Sequence, residues 1–283
     1  MDVPYIIVKR VLDGEEIEDM YDSREELDAF YESLKTQRPT TTALNTQEFE
    51  EFFSKIMDER PGDIIHVCLS SGLSLTYDNA VKAIPTLKKK YPDRKVHVID
   101  SRSATTGQGL QVDRLIELRD SGVSTEDAIK IAEELKINVH IWAMISDLGH
   151  LKRGGRISGA KAMIGTVLGV KPILHVAKSG KIAIENKMKG TKNAVNYIIE
   201  KIVEHGDMKN DDFLDSTLYL IQTTESDNFT ELKKQVTQRF PTLNIKEAII
   251  GPVVGSHVGG SACGAQGTAD AAARPIERAP WQA

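Results

Sequence analysis

Pro61-Gly62-Asp63-Ile64-Ile65-His66-Val67-Cys68-Leu69-Ser70-Ser71-Gly72-Leu73-Ser74 sets an apolar run between a Pro-Gly break and a hydroxyl-rich turn. A short continuous apolar run, without polar alternation, suits a strand buried on both faces of a sheet. Downstream, Val96-His97-Val98-Ile99 reads as a second strand ending in the polar turn Asp100-Ser101-Arg102-Ser103. The helix between them, from about Thr76, carries Pro85 and is expected to kink or break there. Upstream, Ser23 with Glu26 forms a capping box ahead of a stripe of Leu27, Phe30, Tyr31 and Leu34. Thr46 opens another helix bearing Phe49, Phe52, Phe53 and Ile56 at the same spacing, a stripe most simply read as core. Ser124 with Asp127 caps a helix bearing Ala128, Ile131, Ala132 and Leu135, and residues 139–145 read as a strand. Strands alternating with helices at this spacing predict an α/β fold with a parallel sheet covered on both faces. Ligands in such folds lie beyond the strand C-termini, so the Ser70-Ser71 and Asp100-Ser101 turns open on one edge.

From Leu151 the texture changes. Leu151-Lys152-Arg153-Gly154-Gly155-Arg156-Ile157-Ser158 is a basic glycine-containing turn, followed by a small-residue helix and strand candidates at 173–176 and 182–184. A helix with Ala194, Val195, Ile198, Ile199, Ile202 and Val203 on its apolar side and strands near 217–223 and 245–250 complete a second α/β unit. The expected organisation is 1–148, 149–259, and a Gly/Ala-rich tail at 260–283 without apolar periodicity, read as disordered.

The chain has 283 residues, 40% of them hydrophobic and 27% charged, which fits two globular domains. A net charge of -5 gives no general attraction to nucleic acid or anionic lipid. Two cysteines in unlike settings, Cys68 and Cys263, make neither a disulfide framework nor a zinc site. No stretch has the length of a membrane span and the N-terminus lacks a signal-peptide pattern, so the expected location is cytoplasmic, with membrane contact at most transient.

The stretch Gly251-Pro252-Val253-Val254-Gly255-Ser256-His257-Val258-Gly259 brings a hydroxyl and an imidazole onto a glycine-rich backbone, read as a pliable loop. Two hydroxyl-rich turns, Pro39-Thr40-Thr41-Thr42 and Ser70-Ser71-Gly72-Leu73-Ser74, are capable of converging with it on one anion. Each alone reads more readily as a helix cap. Together they favour a carboxylate grip, because a buried carboxylate needs several donors to offset lost hydration. Arg153 and Arg156 fit a solvated basic turn and a functional site equally, the latter a phosphate cradle or, preferably of those two, a docking site for a protein partner. The other histidines lack metal-ligand spacing. Without a Gly-x-Ser-x-Gly elbow, a Walker loop or a Gly-x-Gly-x-x-Gly fingerprint, catalysis by this chain alone is disfavoured, and no metal or cofactor is expected.

These segments, with Val-Ile-Asp-Ser at 98–101 and Lys-Pro-Ile-Leu at 171–174, resemble the DegV family of bacterial fatty-acid-binding proteins across roughly 220 residues. The resemblance implies a two-domain fold: an N-terminal three-layer α/β/α domain with a parallel sheet and a C-terminal α/β domain with a mixed sheet. It implies a long-chain fatty acid whose carboxylate is held by Thr41, Thr42, Ser70 or Ser71 and His257, with Ser256 beside it, and a fatty acid kinase as partner. The chain would be a carrier in phospholipid metabolism rather than an enzyme. It departs from the family pattern at Ala43-Leu44, where Gln-Pro is usual, at Leu75 in place of glycine, in lacking an opening strand before Met1, and after Gly260. The alternative is a dihydroxyacetone-kinase-like subunit for phosphoryl transfer to a small carbonyl compound, with a polar ligand on His257 and no long apolar tunnel.

Overall fold

The structure is a computed structural model that describes residues 3–158, 169–205 and 217–268. The small-residue helix expected after 158 and residues 269–283 of the expected tail lie outside these.

The N-terminal part begins with a three-stranded antiparallel sheet in which β1 (Lys9–Leu12) lies between β2 (Glu15–Glu18) and β3 (Thr40–Thr42). The Thr-rich segment is therefore an edge strand and not a free turn; Thr41 sits opposite Arg10. Between β2 and β3 lies α1 (Arg24–Ser33), whose N-terminus is fixed by Ser23 accepting from Glu26 N–H. α2 (Thr46–Glu59) starts with a complete capping box from Asn45 and Glu48.

β4 (Ile64–Cys68) and β5 (Val96–Asp100) form the parallel sheet. Ile64 and Cys68 pack with Phe49, Phe53, Ala80, Ala83 and Leu87 of α2 and α3 (Thr76–Lys90), while α4 (Thr106–Asp120) contacts β4 and α5 (Thr125–Leu135) contacts β5. Helices thus cover both faces, as a parallel sheet requires. The expected break at Pro85 does not occur: α3 continues through it to Lys90. Residues on either side, Ala83 and Leu87, are buried in the same core, and that packing offsets the lost backbone bond.

The larger sheet is mixed and seven-stranded. Its order is β11 (Asn244–Ile249), β10 (Thr217–Gln222), β12 (Cys263–Thr268), β6 (Val139–Met144), β8 (Val170–Val176), β9 (Ile182–Lys189) and β7 (Ile157–Ser158). One face is covered by α7 (Thr191–His205) and α8 (Asp227–Arg239) around Trp142, Met144, Ile198, Leu220, Leu232 and Val236. The other carries Leu174, Ile221, Ile250 and Val258 with Leu151 of α6 (Gly149–Arg153).

Two expectations are corrected here. β6, read with the first domain, belongs to the second sheet, where it pairs antiparallel with β12 and β8; a boundary at 148 therefore falls after a strand of the second sheet. Residues 260–268 are no disordered tail: β12 is an interior strand of that sheet, bonded to β10 and β6. Its small residues are what the position demands. A side chain at Gly264 would collide with the Trp142 carbonyl and Ala143, and Cys263 and Ala265 are buried beneath α7 and α8. Hydrophobic periodicity is weak in such a segment because close packing, not bulk, selects its residues.

Candidate functional site

The His257 segment is not a loop but a short helix, α9 (Pro252–Val258), with proline in its first turn. Three tertiary contacts fix its angle. Asp19, from the segment between β2 and α1, accepts from Val253 N–H (2.8 Å). Tyr31 on α1 donates its hydroxyl to the Ile250 carbonyl (2.5 Å). At the C-terminal end, His257 lies so close to Gly154 that a Cβ there would strike Nδ1, so only glycine fits. Burial of the Asp19 carboxyl raises its pKa above the ordinary value, against the bond from Val253 and the nearby Arg10 charge.

This frame brings His257 Nε2 to 2.8 Å from Thr41 Oγ1, across 216 residues of sequence. His257 Nδ1 is buried with no partner among the described residues. Burial, with a smaller contribution from Arg156, pushes its pKa down to about 4, so the imidazole is neutral at pH 7. Thr41 and His257 stand at the polar end of a narrow cavity of about 120 Å³ that Thr42, Ser74 and Arg156 also line. Apolar walls follow, from Leu69, Leu73, Ile141, Leu174, Ile182, Ile221, Val254 and Val258 among others. The Arg156 guanidinium donates from Nε to Leu73 O (3.1 Å) and from Nη1 to Gly154 O (2.6 Å). It makes no ion pair among the described residues. An unpaired cation beside a neutral imidazole and hydroxyls, facing an apolar cavity, is chemically complementary to an amphiphile with an anionic head.

Of the residues singled out from the sequence, Thr41, Thr42 and His257 converge. Ser70, Ser71 and Ser256 do not line the cavity. Ser70 is buried and donates to Gly180 O (2.8 Å), pinning the β8–β9 turn to the first domain. Ser71 bonds Asp100 at the end of β5 (2.5 Å to Oδ2). Ser256 donates back to Pro252 O within α9 (2.8 Å), because adjacent helical residues point about 100° apart. The paired arginines also separate. Arg156 belongs to the cavity rather than to a docking surface, whereas Arg153 lines a different, polar groove of about 660 Å³ with Arg38, His150 and Asp147.

Ser74 and Arg156 are what sequence reasoning left out of the site, and Asp19 and Tyr31 what it left out of its support. Ser74 closes the same hydroxyl turn that carries Ser70, so the motif was right and the register wrong. For Asp19 no local signal exists, since its partner lies 234 positions away.

The chain matches the family model described as "Uncharacterised protein, DegV family" over residues 2–268, and it belongs to the DegV family. It is 30% identical over 260 residues to a DegV domain-containing protein of Clostridium perfringens (strain 13 / Type A), covering 92% of this chain and 88% of that protein. It is 31% identical over 252 residues to Protein DegV of Bacillus subtilis (strain 168), covering 87% and 86%. Among solved structures, DegV from B. subtilis, described as a fatty acid binding protein, superposes with a TM-score of 0.76 at 28% identity over 94% of this chain and 91% of that one. A fatty acid binding DegV family protein from Streptococcus agalactiae gives 0.82 at 21% identity, over 95% and 92%. The mixed α/β architecture with a parallel and a mixed sheet is thus the DegV fold.

Proposed function

We propose that this DegV family member binds a long-chain fatty acid in the cavity beneath α9, with the carboxylate between Thr41, Thr42, Ser74, His257 and Arg156 and the acyl chain along the apolar walls. The observation that carries this reading is Arg156: a guanidinium without a counter-ion among the described residues, held by two carbonyls on the wall of a largely apolar cavity. The B. subtilis relative described as a fatty acid binding protein supports it. Burial of each methylene is worth about 0.8 kcal/mol, so a long chain gains on the order of 10 kcal/mol before the costs of association. Ser70, Ser71 and Ser256 have structural duties in this reading.

The chain acts as a carrier and not a catalyst, presenting the carboxylate to a fatty acid kinase that forms the acyl phosphate in phospholipid metabolism. The polar groove of Arg153, Arg38 and His150 is the docking face. It adjoins the anion end, since His150 packs on Gly259, the residue after α9, while His257 packs on Gly154, the residue after Arg153. A cytoplasmic location fits this role; no described helix is long and apolar enough to cross a membrane. The apolar walls speak against a small carbonyl substrate.

The test is extraction of the purified protein and mass spectrometry of the lipid fraction, followed by titration of delipidated protein with a fluorescent fatty acid. Saturable binding with loss in His257→Ala supports the reading. Absence of both lipid and binding overturns it.

A further inference from the structure

The far end of the same cavity is polar too. β12 begins at Cys263, just after the turn that follows α9, and Gln266 lies three residues along it, about 10 Å farther down the sheet. Cys263 and Ala265 turn toward the α7/α8 core. Gln266 alternates to the opposite face, and both it and its ladder partner Ile141 line the cavity. Its side chain is buried, at 1% exposure. Gln266 Nε2 donates to Thr105 Oγ1 (2.7 Å), and Oε1 accepts from the Thr106 hydroxyl and lies 3.0 Å from Thr105 Oγ1, which also donates to Ala104 O (2.7 Å). A primary amide carries two N–H donors. The second has no acceptor among the described residues. Thr105, which lines the cavity, is held at φ 53, a conformation that is costly for a β-branched residue and is sustained only by its surroundings.

We propose that Gln266 and Thr105 form a second polar subsite that takes an oxygen at the distal end of the acyl chain, so the preferred ligands are fatty acids bearing a terminal hydroxyl or oxo group. This rests on the fatty acid reading of the cavity. The ligand oxygen accepts the free Gln266 N–H, and a ligand hydroxyl donates its own hydrogen bond to Thr105 Oγ1, a residue that lines the cavity. A plain methyl end leaves that buried N–H unsatisfied, which is the costly arrangement. A second carboxylate is excluded by charge: Arg156, at the opposite end, is the one Lys or Arg on the cavity wall among the described residues.

The experiment is calorimetric titration of delipidated full-length protein with matched pairs of unsubstituted and terminally hydroxylated fatty acids over a ladder of chain lengths. At the length that spans the cavity, the hydroxy acid binds about tenfold tighter than its unsubstituted match. Gln266→Met, similar in shape but apolar, inverts that preference; should it fail to fold, Thr105→Val, which removes only a hydroxyl, weakens the hydroxy acid selectively. Hydroxy acids binding no tighter than plain acids at every length, or a preference that survives Gln266→Met, overturns the second subsite. Plain acids binding without any preference overturns this inference alone, whereas failure of both classes to bind removes the fatty acid reading beneath it.

Discussion

Replacing Arg156 by leucine isolates the charge that the site offers its ligand. In the structure the guanidinium is tied to Leu73 O and Gly154 O, and no acidic side chain neutralises it among the described residues. A bound carboxylate would be its counter-ion, and hydrogen bonds to charged groups are worth about 1.5–3 kcal/mol. Arg156→Leu therefore weakens fatty acid binding roughly 10- to 150-fold. A fatty alcohol of the same length has the same tail and no charge, so its affinity falls less than about threefold, the spread expected for a lost packing contact. Arg156→Lys keeps the charge but not the fork geometry and lies between. The pairing also changes His257: Arg156 helps push its pKa down to about 4, so removing the guanidinium moves that pKa upward in an NMR titration of the empty protein. Competition with a fluorescent fatty acid measures all three affinities. Equal losses for acid and alcohol would show that Arg156 merely supports the fold, and unchanged acid affinity would remove it from the head-group site.

Thr41→Val removes the partner of His257 Nε2 and costs about 1 kcal/mol of fatty acid affinity, about fivefold by titration, with an unchanged unfolding midpoint. Ser70→Ala strands the buried Gly180 carbonyl and lowers stability by about 1–3 kcal/mol in urea unfolding, without the charge selectivity lost in Arg156→Leu; a selective loss for acids would return Ser70 to the site. Arg153→Ala leaves lipid affinity intact and slows phosphorylation of bound fatty acid by a partner kinase; collapse of lipid binding would place Arg153 in the cavity after all. His66, ringed by Phe49, Phe52 and Phe53, has its pKa pushed down to about 4 by burial. Its neutral form is favoured by folding, so the stability it contributes is complete above pH 6.5 and is lost as pH falls toward 4, on the order of 3 kcal/mol. His66→Phe flattens that limb of the stability profile, and an identical acid limb in the variant would assign the loss elsewhere. Gly264→Val, which sets a branched side chain against Trp142 and Ala143 inside the sheet, abolishes soluble expression; a stable variant would contradict the interior place of β12.

What the sequence determined is what short-range physics determines. Ser23, Asn45 and Ser124 are followed by helices because a side-chain oxygen three residues upstream satisfies an orphan N–H, and that rule needs no tertiary partner. Ile64–Cys68 was legible because a strand covered on both faces must be apolar throughout. The DegV pattern likewise carried Thr41 and His257, whose types and loops are local facts. Three outcomes belonged to tertiary structure alone. β12 enters the sheet through the fit of Cys263, Gly264 and Ala265 beneath two helices, a property of the neighbours' shape and not of its own hydrophobicity. The glycine-rich His257 segment becomes a helix because Asp19 and Tyr31, far upstream, secure its first turn and Ile250, two residues before it. Arg153 and Arg156, alike in sequence, part company because the chain turns between them at Gly154, leaving one in a wet groove and the other against His257 with an apolar cavity behind it. Charge and hydroxyl content are written in the sequence, but the direction in which each side chain points is set by contacts across 200 residues of chain or more, and only the folded backbone supplies those.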